Sequence, residues 1–146
     1  MNSMAQRQAF NAYGQAAQTV APAQQIVMLY DGTIRRLHEA KVAIAEQRTE
    51  DRFNLVQKAT AIIDALHGCL DYQSGGEIAQ LLDRFYTYIG YRLQQINIQN
   101  DPTICDEVID RLTEMRASWA GVANGTDGGM QPPPATPTPQ TTSLST

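Results

Sequence analysis

Apolar residues recur at three- and four-residue steps in four separate stretches of this chain, and no stretch of convincing length alternates with the two-residue step of a strand. The first stretch opens at Pro22, which suits a first helical position because its missing N–H has no partner to lose there. It carries Ile26, Leu29, Tyr30, Ile34, Leu37, Ala40 and Ile44 and runs to about Glu46. Thr49 then offers an N-cap, with Glu50 and Asp51 in the first turn of the next helix, where they complement its dipole. The second stripe is Leu55, Val56, Ala59, Ile62, Ile63, Leu66, Cys69 and Leu70. The third is Ile78, Leu81, Leu82, Phe85, Ile89, Leu93 and Ile96. Asn100-Asp101-Pro102 breaks the chain, with Asp101 as the N-cap and Pro102 at the first helical position. The fourth stripe, Ile104, Cys105, Val108, Leu112, Met115 and Trp119, ends near Gly121.

Four amphipathic helices with short connections predict an all-α protein, an antiparallel four-helix bundle over residues 22–121. Residues 1–21 read as a short N-terminal arm whose Phe10, Tyr13 and Val20 are apolar enough to dock on it. Residues 122–146 turn to Pro, Gly and Thr, with Asp127 the only charged side chain. Such a segment cannot bury enough apolar surface to offset its ordering entropy, so a disordered Pro/Thr-rich tail is expected.

Gly75 and Gly76, between the second and third stripes, could cradle a phosphate, hinge a lid or reverse the chain. No phosphate-loop motif and no preceding strand accompany them. Ser74 and Glu77 have capping-box spacing, so the pair is expected to form a turn with Ser74 as N-cap. Gly32 and Gly90 lie inside helices, where each costs about 1 kcal/mol against alanine. Both are expected to answer to the close approach of another backbone, from a bundle neighbour or a bound helix.

Composition narrows the function classes. A net charge of −4, with no basic cluster interleaved with aromatics, argues against nucleic acid and anionic membranes as partners. No stretch approaches the roughly 20 apolar residues of a membrane span, and the first residues lack the apolar core of a secretion signal. The expectation is a cytosolic protein whose Cys69 and Cys105 are buried, reduced thiols. A two-metal bundle site would need paired Glu-x-x-His motifs, and the nearest match is a single Asp64-Ala-Leu-His67. With no nucleophile in a recognisable strained turn either, the reading is no enzyme, no metal and no cofactor.

A surplus of apolar residues remains. Val27, Val42, Phe53, Tyr72, Tyr86, Tyr88, Tyr91 and Ile98 fall beside or outside the core stripes. Taken singly each can widen a stripe; together they suggest an apolar groove that takes a partner helix. Tyrosine suits such a groove, because its ring is apolar and its tip tolerates water.

Leu29-Tyr30-Asp31-Gly32, Leu70-Asp71 and Gly75-Gly76-Glu77-Ile78-Ala79 occur in order along the chain. Tyr86-x-Tyr88, Arg92-Leu93, Asn97, Asn100-Asp101, Glu107-Val108 and Trp119 follow. In this order and spacing, over residues 13–120, they resemble the flagellar secretion chaperone FliS family. The resemblance implies a cytosolic helical bundle without enzymatic activity that binds the C-terminal segment of newly made flagellin. It implies that premature polymerisation is prevented and that flagellin is delivered to the flagellar type III export apparatus. On this basis Tyr30, Tyr86, Tyr88, Asn97 and Ile98 are expected to line the groove, with Tyr13 on an arm that covers it. The chain departs from the family in having Ala21 before Pro22 where Ser is usual, Leu81 where Asn is common, and Ile96 where a small residue usually precedes Asn97. The alternative use of the surplus surface is self-pairing, in a structural homo-oligomeric bundle or a weak homodimer.

Overall fold

The computed structural model describes residues 8–9, 11–13 and 22–125. Among these, four helices and no strand form the protein: α1 Pro22–Ala45, α2 Thr49–Gly68, α3 Tyr72–Gln99 and α4 Pro102–Ala123. Short connections between consecutive helices make neighbours antiparallel. Both α1 and α3 pack against α2 and α4, which places α1 and α3 on the diagonal of the bundle. The apolar stripes meet in one core that includes Leu37, Val56, Ile63, Leu82, Ile89, Leu93, Leu112 and Trp119. The expected tail from residue 126 onward lies outside the described residues, as do Phe10 and Val20 of the arm. No helix among the described residues is long and apolar enough to cross a membrane.

The helix ends show where local rules were sufficient. Asp101 caps α4 as expected, accepting from the Thr103 N–H at 2.9 Å, with Pro102 behind it. Thr49 does not cap α2; it is already helical, and Arg48 takes the cap position without a side-chain cap bond. The reason lies in the end of α1. Gln47 adopts a positive φ of 59°, and the Arg48 N–H reaches back to the Ala43 carbonyl at 2.8 Å. That Schellman-type closure makes the connection so tight that no residue is left over for a side-chain cap. At its far end α4 passes Gly121 and continues to Ala123, with Val122 buried.

The start of α3 differs most from expectation. Asp71, not Ser74, is the N-cap, accepting from the N–H groups of Gln73 and Ser74. One helical turn follows before Gly76, at φ 56° and ψ −137°, bends the chain into the main helix. The Gly-Gly pair is thus a kink one turn inside the helix. Gly75 serves a second purpose: a Cβ built on it would lie 2.6 Å from the Ala79 Cβ and 2.8 Å from the Ala12 Cα. The close backbone approach expected at Gly32 and Gly90 is found here instead. Gly32 faces only the Arg36, Arg35 and Ile62 side chains, and Gly90 faces open space.

Burial sorts the surplus residues. Val27 and Tyr86 are core, and Tyr88 is half-buried. Val42, Phe53, Tyr72, Tyr91 and Ile98 are exposed, joined by Met28 and Leu29. Cys105 is buried as expected, its thiol pushed up to about 11 by burial, whereas Cys69 is exposed just past the end of α2.

Candidate functional site

Residues 8–9 and 11–13 belong to a helical turn, closed by the Ala12 N–H donating to the Gln8 carbonyl at 2.8 Å. Its two small side chains, Ala9 and Ala12, are three residues apart and both fully buried. Residues so spaced share one helix face, and Ala12 meets the start of α3, where Gly75 lets it approach. The Ala12 carbonyl accepts from the Asp71 N–H at 2.6 Å, so the helix cap residue also fastens the arm.

Tyr13 then reaches into the bundle. Its hydroxyl lies 2.6 Å from that of Tyr86 on α3, which lies 2.9 Å from that of Tyr30 on α1. The Tyr13 ring also packs against Trp119 of α4 at 5.7 Å between centroids. Three helices and the arm therefore converge on one chain of phenols. Burial pushes all three hydroxyls above the ordinary tyrosine range, so they stay neutral at physiological pH. Each can then donate one bond and accept another, which a row of three hydroxyls requires. The Trp119 indole N–H is fully buried without a hydrogen bond of normal geometry, although it lies near enough to Tyr30 to favour its ionised form.

Beside the phenols, His67 Nε2 of α2 lies 2.7 Å from an Asp83 oxygen, and the Tyr72 hydroxyl donates to the same oxygen at 2.8 Å. These bonds, His67 first, hold Asp83 below the usual carboxylate range. His67 thus pairs across to α3, and the described residues contain no cluster of three or more potential metal ligands. Further along α3, Tyr88 donates to Glu107 of α4, which also accepts from Arg92 at 2.9 Å and from Arg111. The Arg111 guanidinium sits 5.3 Å above the Tyr88 ring. Burial raises the Glu107 pKa, but the donors outweigh it and the net shift is downward. At the opposite end of the bundle, buried Arg52 donates to Asn97 at 3.2 Å and to Asn100 at 2.7 Å.

The family described as Flagellar protein FliS matches residues 4–126, arm and bundle together. The chain belongs to the FliS family. It is 38% identical over 117 residues to the flagellar secretion chaperone FliS of Campylobacter jejuni, covering 80% of this chain and 91% of that protein. It is 36% identical over 103 residues to the flagellar secretion chaperone FliSB of Pseudomonas aeruginosa, covering 70% and 82%. The flagellar secretion chaperone FliS of Bacillus subtilis is 31% identical over 117 residues, covering 80% and 86%. FliS is a family of chaperones and not of enzymes.

The expected FliS site residues fall into separate places. Tyr13, Tyr30 and Tyr86 come together, but Tyr30 and Tyr86 do not line an open groove here; both are buried, with Tyr13 bonded to Tyr86. Tyr88 belongs to the α3–α4 face with Glu107, and Asn97 to the Arg52 clamp. Ile98 is 72% exposed on the outer face of α3, one position from Asn97 yet pointing elsewhere. Ala9, Ala12 and the seat role of Gly75 escaped sequence reasoning. Their signal is a small-x-x-small turn in the arm facing a glycine in α3, legible only once the two are known to touch.

Proposed function

We propose that this FliS-family protein is a cytosolic export chaperone for flagellin. It binds the C-terminal segment of newly made flagellin, keeps it from polymerising, and assists its delivery to the flagellar type III export apparatus. Residues 22–121 act as the chaperone domain and residues 1–21 as the arm. One observation supports the reading: Tyr13 of the chain's own arm bonds to buried Tyr86, which pairs with buried Tyr30, so a segment outside the four helices joins the bundle's core. A covering held by one turn of helix is a replaceable one.

In this reading Tyr30 and Tyr86 are groove residues reached when Tyr13 lifts away. Tyr88, Asn97 and Ile98 extend the binding surface along α3, where Tyr91 and Ile98 expose a further apolar strip. Segments that are disordered before assembly lose entropy on binding, which keeps the complex releasable at the export apparatus.

Calorimetric titration of the full chain with the C-terminal segment of its own flagellin tests this, alongside circular dichroism. One-to-one binding, a negative heat-capacity change and a gain of helix are expected. Tyr88→Asp is expected to weaken the interaction at least tenfold with the fold intact; unchanged affinity would remove Tyr88 from the surface. Met28, Val42, Phe53 and Ile98 are exposed apolar residues that could equally pair two copies of the chain. A dimer in light scattering that survives excess flagellin segment would favour the homo-oligomeric reading.

A further inference from the structure

The arm's seat has a definite shape. Its floor is Gly75, where a single added carbon would collide with Ala79 and with Ala12 of the arm. Its edge is the Asp71 N–H, which takes a backbone carbonyl and so makes no demand on side-chain identity. Its far wall is Tyr86 and Trp119, which receive an aromatic ring with a hydroxyl tip. Ala12 lies against Gly75 with no exposed surface, so this point has no room for a larger side chain, and Ala9, three residues before it, is fully buried as well.

From this we infer that the seat is a steric filter for one kind of ligand. It accepts a helical turn with small side chains at positions i and i+3, followed directly by an aromatic residue that can hydrogen-bond. The arm, Ala9-x-x-Ala12-Tyr13, is the occupant seen here. The inference rests on the chaperone reading for its second half: the flagellin segment that replaces the arm enters by presenting the same pattern. Gly75 and Ala79 are then specificity-determining residues.

The Trp119 ring packs on Tyr13 while its indole N–H lies beside buried Tyr30, so the wall presents an aromatic face to the occupant.

The test uses the full-length Ala12→Leu chain, in which the arm can no longer seat, and a fluorescent peptide of residues 4–16 as the probe. The native peptide is expected to bind in trans. A peptide carrying Ala12→Leu should bind at least tenfold more weakly, and adding Gly75→Ala to the chain should abolish binding of the native peptide. Equal binding of the two peptides, or full binding to the Gly75→Ala chain, overturns the filter. Should Ala12→Leu fail to fold, Tyr13→Ala frees the seat by removing the anchoring ring instead. Unlabelled C-terminal flagellin segment should displace the probe. If that segment binds the chain but leaves the probe in place, the shared seat is overturned while the chaperone reading stands. If it binds nowhere, the chaperone reading fails, and discrimination between the two peptides still upholds the filter for the arm.

Discussion

The two ends of the bundle close in different ways. At the end where α2 begins and α3 finishes, Arg52 grips Asn97 and Asn100, residues of the helix it packs against and of that helix's cap. All three belong to the four-helix body. At the other end, where α2 finishes and α3 begins, closure is completed by Ala12 and Tyr13 of the arm turn. The Asp71 N–H, the Gly75 floor and the Tyr86 hydroxyl all find their partners in that one turn. The Arg52 end can open only with local unfolding of the body. The arm end can open by releasing one turn of helix. A protein that must bind and let go places its reversible contacts where the covering is separable from the core.

Truncating the core beneath the arm should have the largest effect. Trp119→Ala is expected to cost about 3–5 kcal/mol, read as a fall in the urea midpoint, because the ring is fully buried. A cost below about 1 kcal/mol would mean that Trp119 belongs with the separable cover and not with the body.

Arg52→Met should cost about 1.5–3 kcal/mol, the range for hydrogen bonds to a charged group. It should leave exchange of the Asp71 amide unchanged. Faster exchange at Asp71 in this variant would join the two ends into one cooperative unit and dissolve the contrast.

Gly75→Val should release the arm, raising Asp71 amide exchange and exposing Tyr13, with global stability lowered by about 1–3 kcal/mol from overpacking against Ala79. Unchanged Asp71 exchange in a folded Gly75→Val chain would show that Gly75 is not what seats the arm. Tyr13→Phe, which removes one hydroxyl from the row of three, should cost about 0.5–1.5 kcal/mol, confined to arm protection.

The smallest effects are those of pH, and they divide by region. The phenols have raised folded-state pKa values, so their contribution is complete below the ordinary tyrosine value of 10.0 and is lost as pH climbs above it. Glu107 is shifted the other way, so its contribution is present above its ordinary value of 4.5 and is lost as pH falls. Melting curves should therefore show an alkaline decline blunted by Tyr86→Phe and an acid decline blunted by Glu107→Gln. If Glu107→Gln altered only the alkaline limb, the assignment of these two groups would be wrong.

Much of this architecture was legible before any coordinates. The four apolar stripes, the break at Asp101-Pro102 and the end of α1 near Glu46 are local patterns, set by which side chains a helix places on one face. The ordered set of residues from Leu29 to Trp119 also carried the family. What only the tertiary structure decided is how separated segments meet. Tyr13 and Tyr86 are 73 positions apart, and Arg52 and Asn100 are 48 apart. Asp71 displaced Ser74 as the cap of α3, Tyr30 and Tyr86 lie in the core, and Gly75 was kept small for Ala12 and not for a turn. Periodicity assigns a residue to a face of its own helix. Which neighbour covers that face depends on contacts between distant segments, and these leave no period in the sequence.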